Sequence, residues 1–217
     1  DIGTIITGSN MWTYLEEGVV TAVSPSSGRG GTVVEITGER LRGGGSKVVS
    51  VAFGGDEVAS IESESTNSVK VILVNGTSTS NMDIVLTSDT GARVTASEVF
   101  EYIDSKITNV SPNKGQLGGR ITIEGQHLLA GGDNLTAVTL AGVEAVIESA
   151  TNDAVVVRAG KSTTKTGDIV LTANTGATIT LVDGWTYNVA GVITEVSPSS
   201  GREGTEVVLT GKSLLAG

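Results

Sequence analysis

A block of ten residues recurs three times in register, and this recurrence restricts the chain to a tandem array of similar units. Val23-Ser24-Pro25-Ser26-Ser27-Gly28-Arg29-Gly30-Gly31-Thr32 returns as Val110-Ser111-Pro112-Asn113-Lys114-Gly115-Gln116-Leu117-Gly118-Gly119. It returns again as Val196-Ser197-Pro198-Ser199-Ser200-Gly201-Arg202-Glu203-Gly204-Thr205. The Ser-Pro pairs stand 87 and then 86 residues apart. Ten residues past the first glycine of each block is another glycine (Gly38, Gly125, Gly211), and three further on is a leucine (Leu41, Leu128, Leu214). Self-similarity at a fixed period is the signature of repeat architecture. Here each period is long enough to hold a core of its own.

The content of one period is β-structure. Thirty glycines are about twice the usual share of ~7%, and Val, Ile and Thr abound in short apolar runs. No stretch carries a sustained helical period with caps. Each repeat reads as about seven strands. In the first complete copy they fall at 19–23, 32–37, 47–53, 57–62, 68–74, 82–88 and 93–102. In the second they fall at 106–110, 120–124, 135–140, 143–148, 153–158, 167–173 and 177–187. Alternation is plain in Val69-Lys70-Val71-Ile72-Leu73 and in Arg120-Ile121-Thr122-Ile123-Glu124. Seven short strands in one period fit an immunoglobulin-type sandwich. Proline occurs only in the Ser-Pro pairs, at the end of a first strand, where a missing N–H is tolerated.

Six of the seven aromatic residues form three pairs: Trp12/Tyr14, Phe100/Tyr102 and Trp185/Tyr187. Residues two apart on a strand face the same side. Each pair therefore puts two large rings on one face of the last strand of a repeat, and all six are expected as core residues. The competing reading is an exposed aromatic ladder for sugars.

The order V-S-P-x-x-G, an apolar strand, T-G-x-x-L, further strands and a closing W/F-x-Y resembles the IPT/TIG domain. That resemblance implies an immunoglobulin-like fold. Tandem copies in the family belong to cell-surface receptors, secreted fibrous proteins and some bacterial surface proteins; single copies belong to transcription factors and starch-degrading enzymes. The cysteines common in animal receptor versions are missing, since the chain has no cysteine, so a receptor role is not carried over. The domains are then expected as follows: residues 1–18 the C-terminal end of a truncated repeat, 19–104 and 105–190 two IPT/TIG-like repeats, and 191–217 the start of another truncated repeat. The chain reads as a segment of something longer.

The junctions are short: Leu15-Glu16-Glu17-Gly18, Ile103-Asp104-Ser105 and Asn188-Val189-Ala190-Gly191. None holds proline or a Gly/Ser run, so none is a long flexible linker. The repeats are expected to form a semi-rigid rod, stiffest at 103–105 and bending near Gly18 and Gly191.

Little in the chain points to chemistry. The one histidine, His127, takes the place of Arg40 and Ser213 in the other copies, and reads as an exposed turn residue rather than a catalyst. Asp56-Glu57 and Glu62-Ser63-Glu64 are the nearest approach to a metal site, but the second repeat offers only Val143-Glu144 and Glu148-Ser149-Ala150, and no calcium-loop pattern occurs. The glycine pairs Gly54-Gly55 and Gly131-Gly132 lack the helix a phosphate site needs and read as turns. No catalytic residue, cofactor or metal is expected. Asn75-Gly76-Thr77 and Asn134-Leu135-Thr136 are N-glycosylation sequons, so Asn75 and Asn134 are candidate glycan sites; at Asn109-Val110-Ser111 the following Pro112 should hinder use.

The formal charge of −10 argues against a nucleic-acid partner. No apolar run approaches the ~20 residues that span a bilayer, so no membrane insertion is expected in this segment. Residues 19–104 carry 6 basic and 11 acidic groups, net −5, and residues 105–190 carry 6 and 7, net −1, so successive surfaces are not interchangeable. The function expected is that of a non-catalytic extracellular or cell-surface structural protein: a stalk, fibre or filament whose repeats set length and spacing. Its partners are then the neighbouring repeats, with copies of itself in a filament, a surface protein or a glycan beyond them. The alternatives are an adhesin or receptor-type module recognising a glycan or protein and, more weakly, an accessory region of a carbohydrate-active enzyme.

Overall fold

A computed structural model describes residues 8, 11–58, 60–76 and 81–214 of the protein. Every regular element among them is a strand. The first repeat contains β1 (Val19–Ser24), β2 (Ser27–Gly28), β3 (Val33–Glu39), β4 (Val48–Phe53), β5 (Asp56–Glu57), β6 (Ser60–Glu64), β7 (Ser68–Ile72), β8 (Met82–Ser88) and β9 (Arg93–Tyr102). The second contains β10 (Lys106–Ser111), β11 (Lys114–Gly115), β12 (Arg120–Gln126), β13 (Leu135–Leu140), β14 (Val143–Glu144), β15 (Val146–Ala150), β16 (Ala154–Arg158), β17 (Lys165–Ala173) and β18 (Thr178–Tyr187). A hairpin of β19 (Val192–Ser197) and β20 (Val208–Lys212) follows.

Each repeat is a two-sheet sandwich. In the first, the sheets run β1-β3-β7-β6 and β2-β9-β8-β4-β5; in the second, β10-β12-β16-β15 and β11-β18-β17-β13-β14. All pairings are antiparallel except β2 with β9 and β11 with β18, where the chain leaves the first sheet after the Ser-Pro pair and joins the second in parallel. The buried faces build two separate cores, one around Ile36, Phe53, Val71 and Ile84, the other around Ile123, Leu140, Val157 and Leu171.

The repeated landmarks have steric causes. A Cβ on Gly38, Gly125 or Gly211 would lie 2.1, 2.2 or 2.1 Å from the carbonyl oxygen of Val19, Lys106 or Val192 on the adjacent strand. Only glycine lets the two strands close there. The same strand pairs carry the same bulge, between Val20 and Ala22, Ile107 and Asn109, and Ile193 and Glu195. At each bulge a threonine hydroxyl (Thr21, Thr108, Thr194) donates 3.2 Å across the ladder to the carbonyl of Thr37, Glu124 or Thr210. Leu41 and Leu128 are buried beneath the loop that follows.

Two sequence expectations are revised. The single strand read at 57–62, and its copy at 143–148, is two strands in different sheets: β5 and β14 pair with β4 and β13, whereas β6 and β15 pair with β7 and β16. Extended residues show one period whichever sheet they join, so the crossing leaves no break in the pattern. Trp12 and Tyr14 are not core residues here. They are 78% and 90% exposed, and their rings contact each other edge to face.

Candidate functional site

The other two aromatic pairs are buried. Phe100 and Tyr102 lie at 2% exposure, Trp185 at 0% and Tyr187 at 1%. Their rings stack edge to face at 5.6 and 5.7 Å, with Phe53 joining Phe100 at 4.9 Å. Burial raises the Tyr102 and Tyr187 phenols above their ordinary pKa. Neither pair offers a ring face to a sugar.

The acidic residues do not converge. Asp56 and Glu57 lie on exposed β5, where Glu57 accepts from the Ser50 hydroxyl at 2.7 Å. Glu62 and Glu64 lie in the opposite sheet, on β6. Glu64 is engaged by Arg42, which donates from Nε and Nη2 at 2.9 Å each, while the Val48 amide adds a third donor. The guanidinium hydrogen bond holds the Glu64 carboxyl below its usual pKa. Glu148, on the matching strand of the second repeat but at the position of Glu62, is held low in the same way by Arg120 and then Arg158. Among the described residues no three His, Asp or Glu side chains gather as metal ligands. Gly54, Gly55 and Gly131 adopt positive φ at turns.

Asn75 and Asn134 are exposed. Asn109 is also exposed, but its Nδ2 donates 3.0 Å to Glu124. His127 has φ 50° in an exposed turn, and its Nδ1 donates to the Asp104 carbonyl at 3.1 Å. Arg40 occupies the same left-handed position (φ 54°), and its Nε donates 2.9 Å to the Glu17 carbonyl. In both complete repeats this position therefore ties the preceding linker to the loop of the repeat it enters.

That contact belongs to the one place where the described residues gather polar and backbone groups from both sandwiches, the junction between the complete repeats. The Val33 amide donates 2.8 Å to the Thr175 carbonyl. Arg29 Nη1 donates 2.8 Å to the carbonyl of Ser105, a residue only 7% exposed. Burial lowers the Arg29 pKa, with the Asp104 carboxylate acting the other way. Gly31 and Gly176, both at positive φ, bring their backbones together, and a Cβ on Gly176 would sit 3.1 Å from the Gly31 carbonyl oxygen. Ile103 seats its Cδ1 where Gly131 leaves room; a Cβ there would be 3.2 Å from it and 2.9 Å from the Ser27 carbonyl oxygen. Beside these contacts lies a cleft of about 470 Å³ lined by Pro25, Val33, Gly131, Asp133, Asn174 and Thr175.

The alternating strand order, the sheet switch after the Ser-Pro pair and the closing aromatic pair recur in both sandwiches. A family model for the IPT/TIG domain matches the chain twice, over residues 19–102 and 105–189. The chain belongs to the IPT/TIG domain family. Comparison of the sequence with the curated proteins returns no match. Among solved structures, the full extracellular region of plexin A4 aligns with a TM-score of 0.55 at 16% identity, over 88% of this chain and 17% of that one. A second plexin A4 structure, with domains 1 to 8, aligns at 0.51 and 17% identity, over 83% of this chain and 19% of that one. This likeness is one of fold, and the IPT/TIG pair spans less than a fifth of either plexin chain. The SGBP-B protein of the Bacteroides ovatus mixed-linkage glucan utilization locus aligns at a TM-score of only 0.33, and among the described residues no helix is long and apolar enough to cross a membrane.

Sequence reasoning missed the side chains that act across the junction. Arg29 and Gln116 stood in equivalent places of the ten-residue block, and a long polar residue there in all three copies was the available signal.

Proposed function

We propose that this IPT/TIG chain is a non-catalytic segment of an extracellular or cell-surface stalk, fibre or filament, in which the repeats act as spacers of fixed length. The observation that carries the reading is the junction. Arg29–Ser105, Val33–Thr175 and Ile103 on Gly131 engage three separate parts of the two sandwiches, so both bending and rotation work against at least one contact. Relative domain motion is the default where an interface is small and loose; a linker of three residues whose last member is buried removes that freedom. The plexin likeness, to a region that its structures describe as extracellular, agrees with the location. A stalk needs no reacting groups, and the lone histidine serves a backbone contact rather than a proton transfer.

Small-angle scattering of the chain tests this. The expected result is one narrow family of orientations between residues 19–102 and 105–189. A broad family of angles would reject the spacer reading and move the weight to an adhesin that samples its surroundings.

A further inference from the structure

Resting on that spacer reading, we infer that the residue after the first glycine of each ten-residue block (Arg29, then Gln116) is the positioning residue of the junction. Together with the residue after the closing tyrosine, it sets a different stiffness at each junction.

The same reach is made twice with different chemistry. Arg29 extends from the loop between β2 and β3 to the carbonyl of Ser105, immediately before the first strand of the next repeat. Gln116, in the same loop of the second repeat, accepts at Oε1 from the amide of Gly191, at 2.6 Å. Gly191 stands 86 residues after Ser105, immediately before β19, so both side chains fix the same backbone point of the following unit. The Arg29 loop is clamped by a threonine. The Arg29 amide donates 3.1 Å to the Thr32 hydroxyl, and the Thr32 amide returns to the Arg29 carbonyl at 3.0 Å. Arg202 and Thr205 repeat that clamp. In the Gln116 loop Gly119 stands in the threonine's place, and only its amide returns, donating 3.0 Å to the Gln116 carbonyl.

The two junctions differ in what is placed at these points. At the first, the reaching group is a guanidinium, half-buried, with Asp104 as a compensating charge. A hydrogen bond from a charged donor is the stronger kind. Ile103 adds an apolar seat on Gly131. At the second, the reaching group is a neutral amide, and the residue after Tyr187 is Asn188, which brings no apolar side chain to the corresponding seat. The head of the chain follows the first pattern on this point, with Leu15 Cδ1 2.6 Å from where a Cβ on Gly44 would be. The junction at 103–105 is therefore the stiff one, and the junction at 188–191 is the compliant one. Stiffness along such an array is written residue by residue at two positions, not in linker length, since the junctions are nearly equally short.

The chain has no cysteine, so spin labels can be placed without removing native thiols. Labels at exposed Glu62 and Glu144, replaced by cysteine, span the first junction; labels at Glu144 and Glu195 span the second. Pulsed electron–electron distance measurements on the whole chain should give a narrow distribution for the first pair and a wider one for the second. Arg29→Met keeps the aliphatic stem and should widen the first distribution about twofold. Gln116→Arg, which alters no buried core side chain, should narrow the second. Circular dichroism checks that both variants remain folded. A narrow first distribution that Arg29→Met leaves unchanged, together with a second that Gln116→Arg leaves unchanged, would overturn the positioning role while the spacer reading stands. A broad first distribution in the native chain would overturn both.

Discussion

Trp185 is the largest fully buried side chain of the second repeat, and its indole Nε1 is buried with no hydrogen-bond partner among the described residues. The first repeat places Phe100 at the same point of its last strand, with no such donor. Two terms therefore oppose each other at this position: the apolar area gained by the indole and the desolvation of an unpaired N–H. Area and cavity dominate when the ring is removed, so Trp185→Ala is expected to cost roughly 3–5 kcal/mol. Trp185→Phe leaves a smaller cavity and also removes the orphan donor, so its cost should stay below about 1.5 kcal/mol. Denaturant melts of the two variants measure the difference; equal losses would show that the indole N–H is in fact satisfied. A second residue-scale expectation concerns the sequons. If the protein is made in a glycosylating secretory pathway, exposed Asn75 and Asn134 should carry glycans, whereas Asn109, whose amide is engaged by Glu124 and whose sequon is followed by Pro112, should not. Intact mass before and after glycosidase treatment decides the matter.

At the scale of strands and loops, Glu64 and Glu148 do similar work from the outer strands β6 and β15, though from different positions, since Glu148 aligns with Glu62 and Glu64 with Ala150. Each ties its edge strand to an arginine on another element, Arg42 for the first, Arg120 and Arg158 for the second. Both carboxyls titrate below their ordinary range because of those donors. Such a group binds fewer protons folded than unfolded near its unfolded pKa of ~4.3. Its contribution is complete above that value and is lost as pH falls through the lower folded value. The melting-temperature gap between the native chain and Glu64→Gln should therefore be constant from neutral pH to about 5 and close below about 4. It will be small, since the pair is partly solvated, and a gap independent of pH would show that the carboxylate charge is irrelevant. Such pairs were not legible in the sequence, because they join residues remote in the chain through no periodic signal. The strands were legible, since alternation and turns are local. Gly38, Gly125 and Gly211 were visible as landmarks, but their cause, a backbone oxygen 2.1–2.2 Å from where a Cβ would stand, belongs to the pairing of two strands. Gly18 and Gly191 stood out for backbone freedom, but close approach also requires glycine there: neither has positive φ, and a Cβ would meet the Arg40 carbonyl oxygen at 2.5 Å or that of Ser213 at 2.7 Å. Short β2 and β11 gave no signal because two residues cannot show a period.

For the whole molecule, the question is how far one repeat depends on its neighbour. The two cores share no residue, so each sandwich has its own cooperative unit. The junction adds one hydrogen bond between backbones, one from a charged donor, one from the exposed His127 to the Asp104 carbonyl and one seated isoleucine. Contacts of these kinds are worth on the order of 1–3 kcal/mol each before the entropy of ordering the junction is subtracted. The gross sum reaches the lower part of the 5–15 kcal/mol typical of a folded domain, and the entropy of ordering the junction brings the net below it. The coupling should thus shift the stability of a neighbour without deciding whether it folds. The chain supplies its own reporter: of its two tryptophans, Trp185 is buried in the second core and Trp12 is 78% exposed at the head. Phe100→Ala empties part of the first core only and should destabilise that repeat by roughly 3–5 kcal/mol. Heating this variant should split the melt in two, with the first repeat unfolding early by circular dichroism. The blue-shifted Trp185 emission should persist and then be lost at a temperature several degrees below its native value, at about 4–8 °C for each kcal/mol of junction contact removed. If Trp185 emission shifts together with the first transition, the pair of repeats is one cooperative unit and the junction is stronger than its contacts imply. If Trp185 melts at its native temperature, the junction orients the repeats without stabilising them.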